Sequence, residues 1–352
     1  MDKIENWWLS IDKLNFVFIT ALGVTGVILS VSVNENFYFI NRHSIFFIVG
    51  IILVIFFSQF RDKNIRRISL FSFSILILML LFLFFSDFEI KGAKRWLIIF
   101  NFTIQPSELI KPFFIILTAW CISQSINLKK NYIIILFSFF VILTSLTLLQ
   151  PDLGMTLLIS TTFFCQLFVA GLSLLLVLVA IFLLLFISLF SYFIFDHVQR
   201  RVSSFFDSGA DTFQIDLSIK AFQSGGIFGK GPGQGILKEK IPDANTDFIF
   251  AVAGEELGFV FCSIIILLIF LLVIRFLLQL LKFNDPYVII AIVGLTSSYG
   301  IQSLINIFSS LGIIPTKGMT LPFISYGGSS MLSSAIVFGL LLSLTKKGNE
   351  RK

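Results

Sequence analysis

The chain has 352 residues, of which 57% are hydrophobic and 13% are charged, and its formal net charge is +6. About a quarter of the residues of a soluble globular domain are charged. The composition therefore excludes a soluble enzyme and predicts an all-α polytopic membrane protein, with residues 1–352 forming a single transmembrane domain. The modest positive charge lies mostly in short loops, so it reports membrane topology and gives no support for nucleic-acid binding.

Apolar runs of about 20 residues, the length that crosses a bilayer, recur along the whole chain. An even number of spans is predicted, at about 14–33, 44–60, 67–86, 107–125, 131–149, 154–170, 172–195, 250–281, 287–310 and 324–345. Both termini then lie on one side of the membrane, and the short loops on that side carry most of the Lys and Arg. The positive-inside rule therefore predicts about ten transmembrane helices, cytoplasmic termini and a large periplasmic loop, 196–249, between helices 7 and 8.

The short outward loop after span 3 departs from this charge pattern because it holds Lys91, Lys94 and Arg95. These cations are either solvated surface or a group that attracts an anion at the outer membrane surface. The neighbouring Trp96 favours the second interpretation, because an aromatic ring anchors the loop at the interface while the cations point to headgroup level.

Span 4 begins with a polar segment. Pro106 and Ser107 are typical of a helix start, and Glu108 lies in the first turn, where a negative charge is favourable. Glu108 and Lys111 are three residues apart and can pair. A charge buried in a span costs roughly 2.5–3.5 kcal/mol. Lys111 therefore needs a partner or a polar cavity, and the pair is a candidate for lining one.

Within the long loop, residues 212–223 fit either an alternating strand or a helix with one apolar face. We predict an interfacial amphipathic helix that ends at Gly225 and Gly226. The following segment, 229–235, is rich in glycine but lacks the P-loop spacing and the strand-to-helix context. It is predicted to be a turn and not a nucleotide-binding loop.

The long loop returns to the membrane at Asp247, and Glu255 and Glu256 follow. One straight helix from Asp247 to Lys282 would be roughly 54 Å long, whereas the hydrocarbon core is about 30 Å thick. The first part, 247–258, must therefore project outward, tilt or break from the rest. Asp247 is either a helix N-cap or a reactive carboxylate. The two glutamates are either a solvated or ion-paired helix face or part of a site.

The segment 314–330 is rich in Pro and Gly and contains Lys317 and Ser325. Such backbone at membrane depth packs on protein or lines a cavity. All the polar segments then converge on one side of the bilayer. His43 and His197 are isolated, which argues against a zinc site. Without a P-loop, any reaction has to use a substrate that is already activated.

Seven motifs, in order from span 3 to the C-terminus, resemble those of the SEDS family (shape, elongation, division and sporulation) of polytopic peptidoglycan polymerases. They are 92–96 (GAKRW), 105–108 (QPSE), 150–154 (QPDLG), 225–229 (GGIFG), 246–251 (TDFIFA), 254–258 (GEELG) and 322–330 (PFISYGGSS). Gly254 and residues 315–318 are more similar to the division member than to the elongation member, although an elongation or sporulation role stays open. Asn245 stands where the family usually has histidine.

The resemblance implies polymerisation of lipid II into glycan strands during septal wall synthesis at the bacterial cytoplasmic membrane, with undecaprenyl diphosphate as leaving group. It places the family's essential acid at Asp247 and its functional basic positions at Arg95 and Lys111. Further candidates for substrate binding are Lys94, Glu108, Glu255, Glu256, Lys317 and Ser325. The resemblance also implies a divalent cation, Mg²⁺ or Mn²⁺, with Asp247 as its candidate ligand. The implied partners are a class B penicillin-binding transpeptidase and other membrane proteins of the divisome.

A diphosphate leaving group needs no general acid, so one carboxylate can suffice where a glycosidase uses two. Asp247 is then either the base that takes the proton of the acceptor hydroxyl or a metal-holding, electrostatic group. A lipid II flippase and a scaffold are the alternatives. A flippase is expected to place charges along a path near mid-membrane, and a scaffold needs no outward carboxylate. The clustering of polar motifs on one side favours the polymerase.

Overall fold

The computed structural model describes residues 2–33, 37–86, 94–99, 102–126, 131–173, 213–316 and 318–346, together with eight scattered residues between 174 and 199. Its helices are α1 (Asp2–Ser10), α2 (Lys13–Val33), α3 (Phe37–Ser58), α4 (Asp62–Phe82), α5 (Pro106–Ile126), α6 (Asn131–Leu149), α7 (Leu153–Val169), α8 (Phe213–Gly225), α9 (Ile249–Gln279), α10 (Pro286–Ser310) and α11 (Gly328–Leu344). Lys317, His197 and most of the predicted span 172–195 lie outside the described residues.

The helices confirm the prediction of an all-α polytopic membrane protein. Seven of those described are long and apolar enough to cross a bilayer, namely α2 to α6, α9 and α10, and two shorter apolar helices are α7 and α11. The predicted span 107–125 corresponds to α5, Pro106–Ile126, and the predicted span 154–170 corresponds to α7, Leu153–Val169. The signal for each span is local, because a run of about 20 apolar residues is sufficient to cross the hydrocarbon core.

Two local features differ from the prediction. A short antiparallel hairpin joins β1 (Leu97–Ile99) and β2 (Phe102–Ile104), with Leu97 opposite Ile104. α3 begins at Phe37, before the predicted 44, so that Arg42 lies in a helix and not in a loop. The guanidinium of Arg42 lies 5.0 Å from the centre of the Phe102 ring on the hairpin. This tertiary contact offsets the cost of a charge near the helix start, and hydropathy cannot reveal it.

α5 occupies the centre of the bundle. It packs against α4, α6, α7, α10 and α11, and most of its side chains are buried. A helix surrounded in this way is expected to be apolar on all sides, with polar groups only where partners exist. Around it, α3 packs along α11, and α8 packs on α9. The predicted amphipathic helix of the long loop is thus present as α8, with Leu217 and Ala221 buried.

α9 is broken at Gly258, whose φ is 76° and ψ is −176°. Because of this break, the segment does not form one straight helix that is too long for the membrane. Backbone amides and carbonyls near the break form hydrogen bonds with the long loop. The amides of Phe259 and Val260 donate to the carbonyls of Gly226 and Ile227, at 3.0 and 3.2 Å. The amides of Lys230 and Gly231 donate to the carbonyls of Glu255 and Glu256, at 3.0 and 2.9 Å. The glycine-rich segment is therefore a turn, as predicted, and the structure adds that it docks on α9.

Gly258→Ala is expected to lower the free energy of unfolding by about 1–3 kcal/mol from backbone strain alone. An added Cβ would also lie 2.3 Å from the amide nitrogen of Gly229, so the docked loop has to move. Thermal unfolding of the purified chain measures the change. The control is Gly300→Ala in α10, where a Cβ meets Val273 at an ordinary 3.4 Å. Equal unfolding temperatures for the two variants would contradict the prediction.

Candidate active site

A cavity of about 510 Å³ opens at the end of the bundle where α5, α7, α9 and α11 begin. Its walls come from the first turns of α5, α7 and α11, the turn that precedes α9, the first half of α3, the hairpin and the segment 318–330. The charged residues that line it are Arg42, Arg95, Glu108, Asp152, Asp243 and Asp247. Segments far apart in the chain, which the sequence placed only on a common side of the bilayer, thus share one space.

Four helix N-termini meet at this cavity. Glu108 lies in the first turn of α5, Asp152 is the N-cap of α7, Asp247 lies two residues before the first residue of α9, and Ser329 lies in the first turn of α11. A helix N-terminus carries a partial positive charge and amides without intrahelical partners. Their convergence favours a negatively charged ligand, which is the arrangement used by discontinuous helices in transporter binding sites.

Arg95 is fixed by the tight turn between α6 and α7. Its Nε donates to the carbonyl of Gln150 at 3.0 Å, and its Nη2 donates to the carbonyl of Pro151. Its Nη1 also lies 4.0 Å from Asp152, whose carboxylate caps α7 by accepting from the amide of Met155. Arg95 and the turn 150–152 therefore form one unit, which presents a guanidinium to the cavity. Lys94, a further predicted binding residue, is not among the lining residues.

The predicted pair of Glu108 and Lys111 is present. Lys111 Nζ lies 2.6 Å from Glu108 and 2.6 Å from the amide oxygen of Gln302, and Lys111 is 3% exposed. Glu108 lines the cavity, whereas Lys111 lies behind it. The amide nitrogen of Gln302 in turn donates to the carbonyl of Thr320, at 3.1 Å. The buried charge of Lys111 is thus paired with a carboxylate and an amide oxygen, as the cost of an unpaired charge requires.

Asp247 is half-buried in the turn that precedes α9 and lines the cavity. The N-cap position belongs to Phe248, so the alternative in which Asp247 is the N-cap is wrong. The turn is held through its backbone. The amide of Asp247 donates to the carbonyl of Asp243 at 3.1 Å, and its carbonyl accepts from Asn306 Nδ2 at 2.9 Å.

Ser325 is buried and lies outside the cavity, behind the same turn. Its hydroxyl donates to the carbonyl of Thr246 at 2.5 Å and accepts from the amide of Leu321 at 2.8 Å. The amide of Tyr326 donates to the carbonyl of Asn245 at 2.8 Å. The segment 314–330 therefore lines the cavity with some residues and uses others to hold the turn that carries Asp247.

Glu255 and Glu256 do not line the cavity and are instead buried under the long loop. Glu255 accepts from the amides of residues 236–238 and from Lys230 Nζ at 2.9 Å. Glu256 accepts from the amides of residues 233 and 235 and from Lys238 Nζ at 2.8 Å. Their placement among the substrate-binding candidates is therefore corrected: they form an ion-paired helix face, and their oxygens bind the loop.

Several residues that line the cavity or hold its walls were not predicted from the sequence. Arg42 and Asp152 line the cavity but are not among the site residues predicted from the sequence. Asn306 was hidden in an apolar run, yet its Nδ2 donates both to the carbonyl of Asp247 and to that of Met319, at 2.9 and 2.6 Å. A signal was available, because Gln302, Asn306 and Ser310 are spaced four apart and lie on one face of α10.

No group of three or more His, Cys, Asp and Glu residues is placed to hold a metal ion within the described part of the chain. Mg²⁺, however, is usually bound through one or two carboxylates together with waters and substrate phosphates. Asp243 and Asp247 both line the cavity and are joined by a turn hydrogen bond. Their donor chemistry fits that second mode.

The sequence model of the FtsW/RodA/SpoVE family, described as "Cell cycle protein", matches residues 5–350. The chain belongs to this family. A "Probable peptidoglycan glycosyltransferase FtsW" of Caulobacter vibrioides is 38% identical over 359 residues, which cover 97% of this chain and 90% of the relative. A protein of the same name from Trichlorobacter lovleyi is 32% identical, over 95% of this chain and 93% of its own.

Solved structures share the fold. One, from a peptidoglycan synthase complex that coordinates polymerization and crosslinking, has a TM-score of 0.82 at 24% identity and covers 96% of this chain and 98% of that chain. The rod shape determining protein RodA of Thermus thermophilus has a TM-score of 0.73 at 24% identity, over 96% and 97% of the two chains. The fold of this chain is therefore shared with these solved structures over nearly its whole length.

Proposed function

We propose that this chain is a peptidoglycan glycosyltransferase that polymerises lipid II and releases undecaprenyl diphosphate. The observation that carries the proposal is the common cavity, in which Asp247 lies with Arg95 and Arg42 at four converging helix N-termini. Similarity over nearly the whole chain to two proteins named probable peptidoglycan glycosyltransferase FtsW supports the same activity.

In the proposed reaction, a hydroxyl of the acceptor sugar attacks the anomeric carbon of the donor. A glycosidic C–O bond forms, the bond from the anomeric carbon to the diphosphate oxygen breaks, and the diphosphate departs with both electrons of that bond. The proton of the attacking hydroxyl passes to the Asp247 carboxylate, a contribution of typically 10²–10⁴-fold. The departing diphosphate is a stable anion, so the cavity needs no second carboxylate as general acid.

The cations of the cavity offset the charge that develops on the diphosphate. The guanidinium of Arg95 is held by two carbonyls before substrate binds, so little reorganisation is required during the reaction. Arg42 is stacked on Phe102 at another wall. Lys111 acts through Glu108 and Gln302 and positions them, since it lies behind the lining. If Asp247 instead holds a divalent cation together with Asp243, that cation would supply a Lewis acid for the departing diphosphate.

A flippase is the rival function. It requires polar groups along a crossing path, but the ionisable residues that line this cavity are confined to one end of the described bundle. The confinement of the charges supports the transferase.

We place the cavity on the extracytoplasmic side of the bacterial cytoplasmic membrane and both termini in the cytoplasm, on the distribution of Lys and Arg among the loops. Similarity to the proteins named FtsW supports a role at the division septum. A class B penicillin-binding transpeptidase is the proposed partner, among other divisome proteins. The likeness to a structure of a peptidoglycan synthase complex supports this pairing.

The test uses the purified full chain with lipid II, alone and with its transpeptidase, and with and without EDTA. We expect glycan strands and released undecaprenyl diphosphate, and we expect EDTA to lower the rate until Mg²⁺ or Mn²⁺ is restored. A rate unchanged by EDTA would exclude the cation. If the chain moves labelled lipid II across the membrane of vesicles and forms no glycan product under any condition, the transferase function is wrong and the flippase function is supported.

Asn306 tests whether the cavity depends on positioning from α10. Asn306→Leu removes the hydrogen bonds to the carbonyls of Asp247 and Met319, so we expect kcat to fall roughly 10- to 100-fold with little change in KM. The control is Ser303→Ala, whose hydroxyl donates to the Tyr299 carbonyl of its own helix. A native kcat in a folded Asn306→Leu chain, or an equal loss in the control, would contradict the positioning role.

A further inference from the structure

A second cavity, of about 330 Å³, lies at the opposite end of the described bundle. It forms where α2 begins, where α9 ends in the turn Leu280–Lys282, and beside Thr345, which follows α11. α9 and α11 both start at the first cavity and end at this one, so the two cavities are separated by the thickness of the bundle. The proposed polymerisation uses only the cavity that contains Asp247 and gives no role to this second cavity.

The lining of this second cavity is positively charged. It contains Lys13, Arg275 and Lys282 against the single carboxylate of Asp12. Asp12 accepts from Arg275 Nη2 and from Gln279 Nε2, each at 2.6 Å. Arg275 Nε also donates to the amide oxygen of the buried Asn15, at 3.0 Å. The carboxylate therefore fixes one guanidinium in place, and the two exposed lysines add positive charge beside it.

The short helix α1 sets the depth of this cavity in the membrane. Its Trp7 donates from the indole to the hydroxyl of Ser58, the last residue of α3, at 2.8 Å. Its Trp8 is 37% exposed and lies 5.6 Å from Lys13 Nζ. Tryptophan and lysine paired in this way are typical of the membrane–water interface. The cavity thus lies at the level of the lipid headgroups.

We propose that this cavity binds the headgroup of an anionic glycerophospholipid in the leaflet on the side of the termini. A fixed guanidinium flanked by two ammonium groups matches a phosphate diester. Gln279 Oε1 is buried and has no hydrogen-bond partner among the described residues, and a headgroup hydroxyl would supply the missing donor. Leu14 and Phe283 line the remaining wall, where the glycerol backbone and first methylenes of the lipid would lie. A free phosphate ion could make the contacts with the cations but not those with Leu14 and Phe283.

The test titrates the purified full chain in detergent with phosphatidylglycerol and with phosphatidylcholine, followed by native mass spectrometry. The variant is the double substitution Lys13→Gln with Lys282→Gln, and both lysines are exposed, so the fold is expected to survive. The matched control is Lys63→Gln with Arg67→Gln, exposed cations at the start of α4 that lie outside the cavity. Thermal unfolding without lipid verifies that all variants are folded.

We expect phosphatidylglycerol to bind more tightly than phosphatidylcholine and to lose roughly 10- to 30-fold in affinity in the pocket variant. The control and a Lys13→Arg, Lys282→Arg chain are expected to bind as the native chain does. Equal losses in the pocket variant and the control would reduce the effect to general surface charge and overturn the site. Equal affinity for the two lipids, or displacement of phosphatidylglycerol by millimolar inorganic phosphate, would also overturn it. None of these outcomes depends on polymerisation.

Discussion

Asp247→Asn is expected to lower the rate of lipid II polymerisation by about 10²–10⁴-fold and to leave the unfolding temperature unchanged. The backbone of Asp247 makes the hydrogen bonds to Asp243 and Asn306 that hold the turn. An amide of the same shape leaves these backbone bonds in place, but it neither takes a proton from a hydroxyl nor contributes negative charge to a cation. Release of undecaprenyl diphosphate by the purified variant gives the rate.

The control for this prediction is Asp216→Asn, an exposed carboxylate on α8 outside the cavity, for which the native rate is expected. Raised Mn²⁺ separates the two roles of Asp247. Partial recovery of the Asp247→Asn rate at high Mn²⁺ is expected from a metal-holding carboxylate, whereas no recovery is expected from a general base. A folded Asp247→Asn chain that polymerises at the native rate would eliminate both roles.

The membrane spans could be predicted from the sequence because their signal is contained within each segment. The predicted 287–310 and the observed α10, Pro286–Ser310, differ by one residue at the start. The hairpin β1–β2 could not be predicted, because its strands carry too little local signal. Its strands have three residues each, too few for the period-two alternation that distinguishes a strand from an apolar run.

The candidate site could be predicted only in part. Motif positions placed Asp247, Arg95 and Glu108 on one side of the bilayer, and the structure brings them to one cavity. The supporting contacts join residues that are far apart in the chain. Lys111 binds Gln302 across 191 positions, and Asn306 binds the carbonyl of Asp247 across 59. A single sequence records residue types but not such pairings, so Asn306 was missed.

Glu255 and Glu256 show that residue type alone also led to a wrong prediction of site residues. Carboxylates next to a polar loop fit an active site and an internal ion pair equally well at the level of residue type. Which lysine approaches each one is decided by the break at Gly258 and by the docked segment 226–231. Both are tertiary features. The role of Glu255 and Glu256 is therefore to hold the loop that leads to Asp247 in place through their ion pairs and hydrogen bonds.

Because Glu256 pairs with Lys238 of the loop, we expect Glu256→Gln to lower the free energy of unfolding by about 3–5 kcal/mol, the usual cost of breaking a buried ion pair. Glu256 and Lys238 are 1% and 7% exposed, and their charged atoms lie 2.8 Å apart. The amide of Gly233 donates to Oε2 of Glu256 and that of Gly235 donates to Oε1, so glutamine, with one acceptor oxygen, keeps only one of these two bonds. It also leaves the ammonium of Lys238 buried without its counter-charge. Denaturation of the purified chain measures the loss, with the exposed Glu239→Gln as a control that is expected to change stability by less than about 0.5 kcal/mol.

Adding Lys238→Met to Glu256→Gln is expected to recover more than half of the lost stability, because an apolar side chain then replaces the unpaired ammonium. Protease cleavage within 229–238 is expected to follow the same order, fastest in Glu256→Gln and slower in the double variant. If Glu256→Gln costs less than about 1 kcal/mol, Lys238 must reach water, and the loop is not fastened by this pair. Because residues 242–247 continue directly from the loop, its release is also expected to lower polymerisation through displacement of Asp247, with native activity returning as stability does.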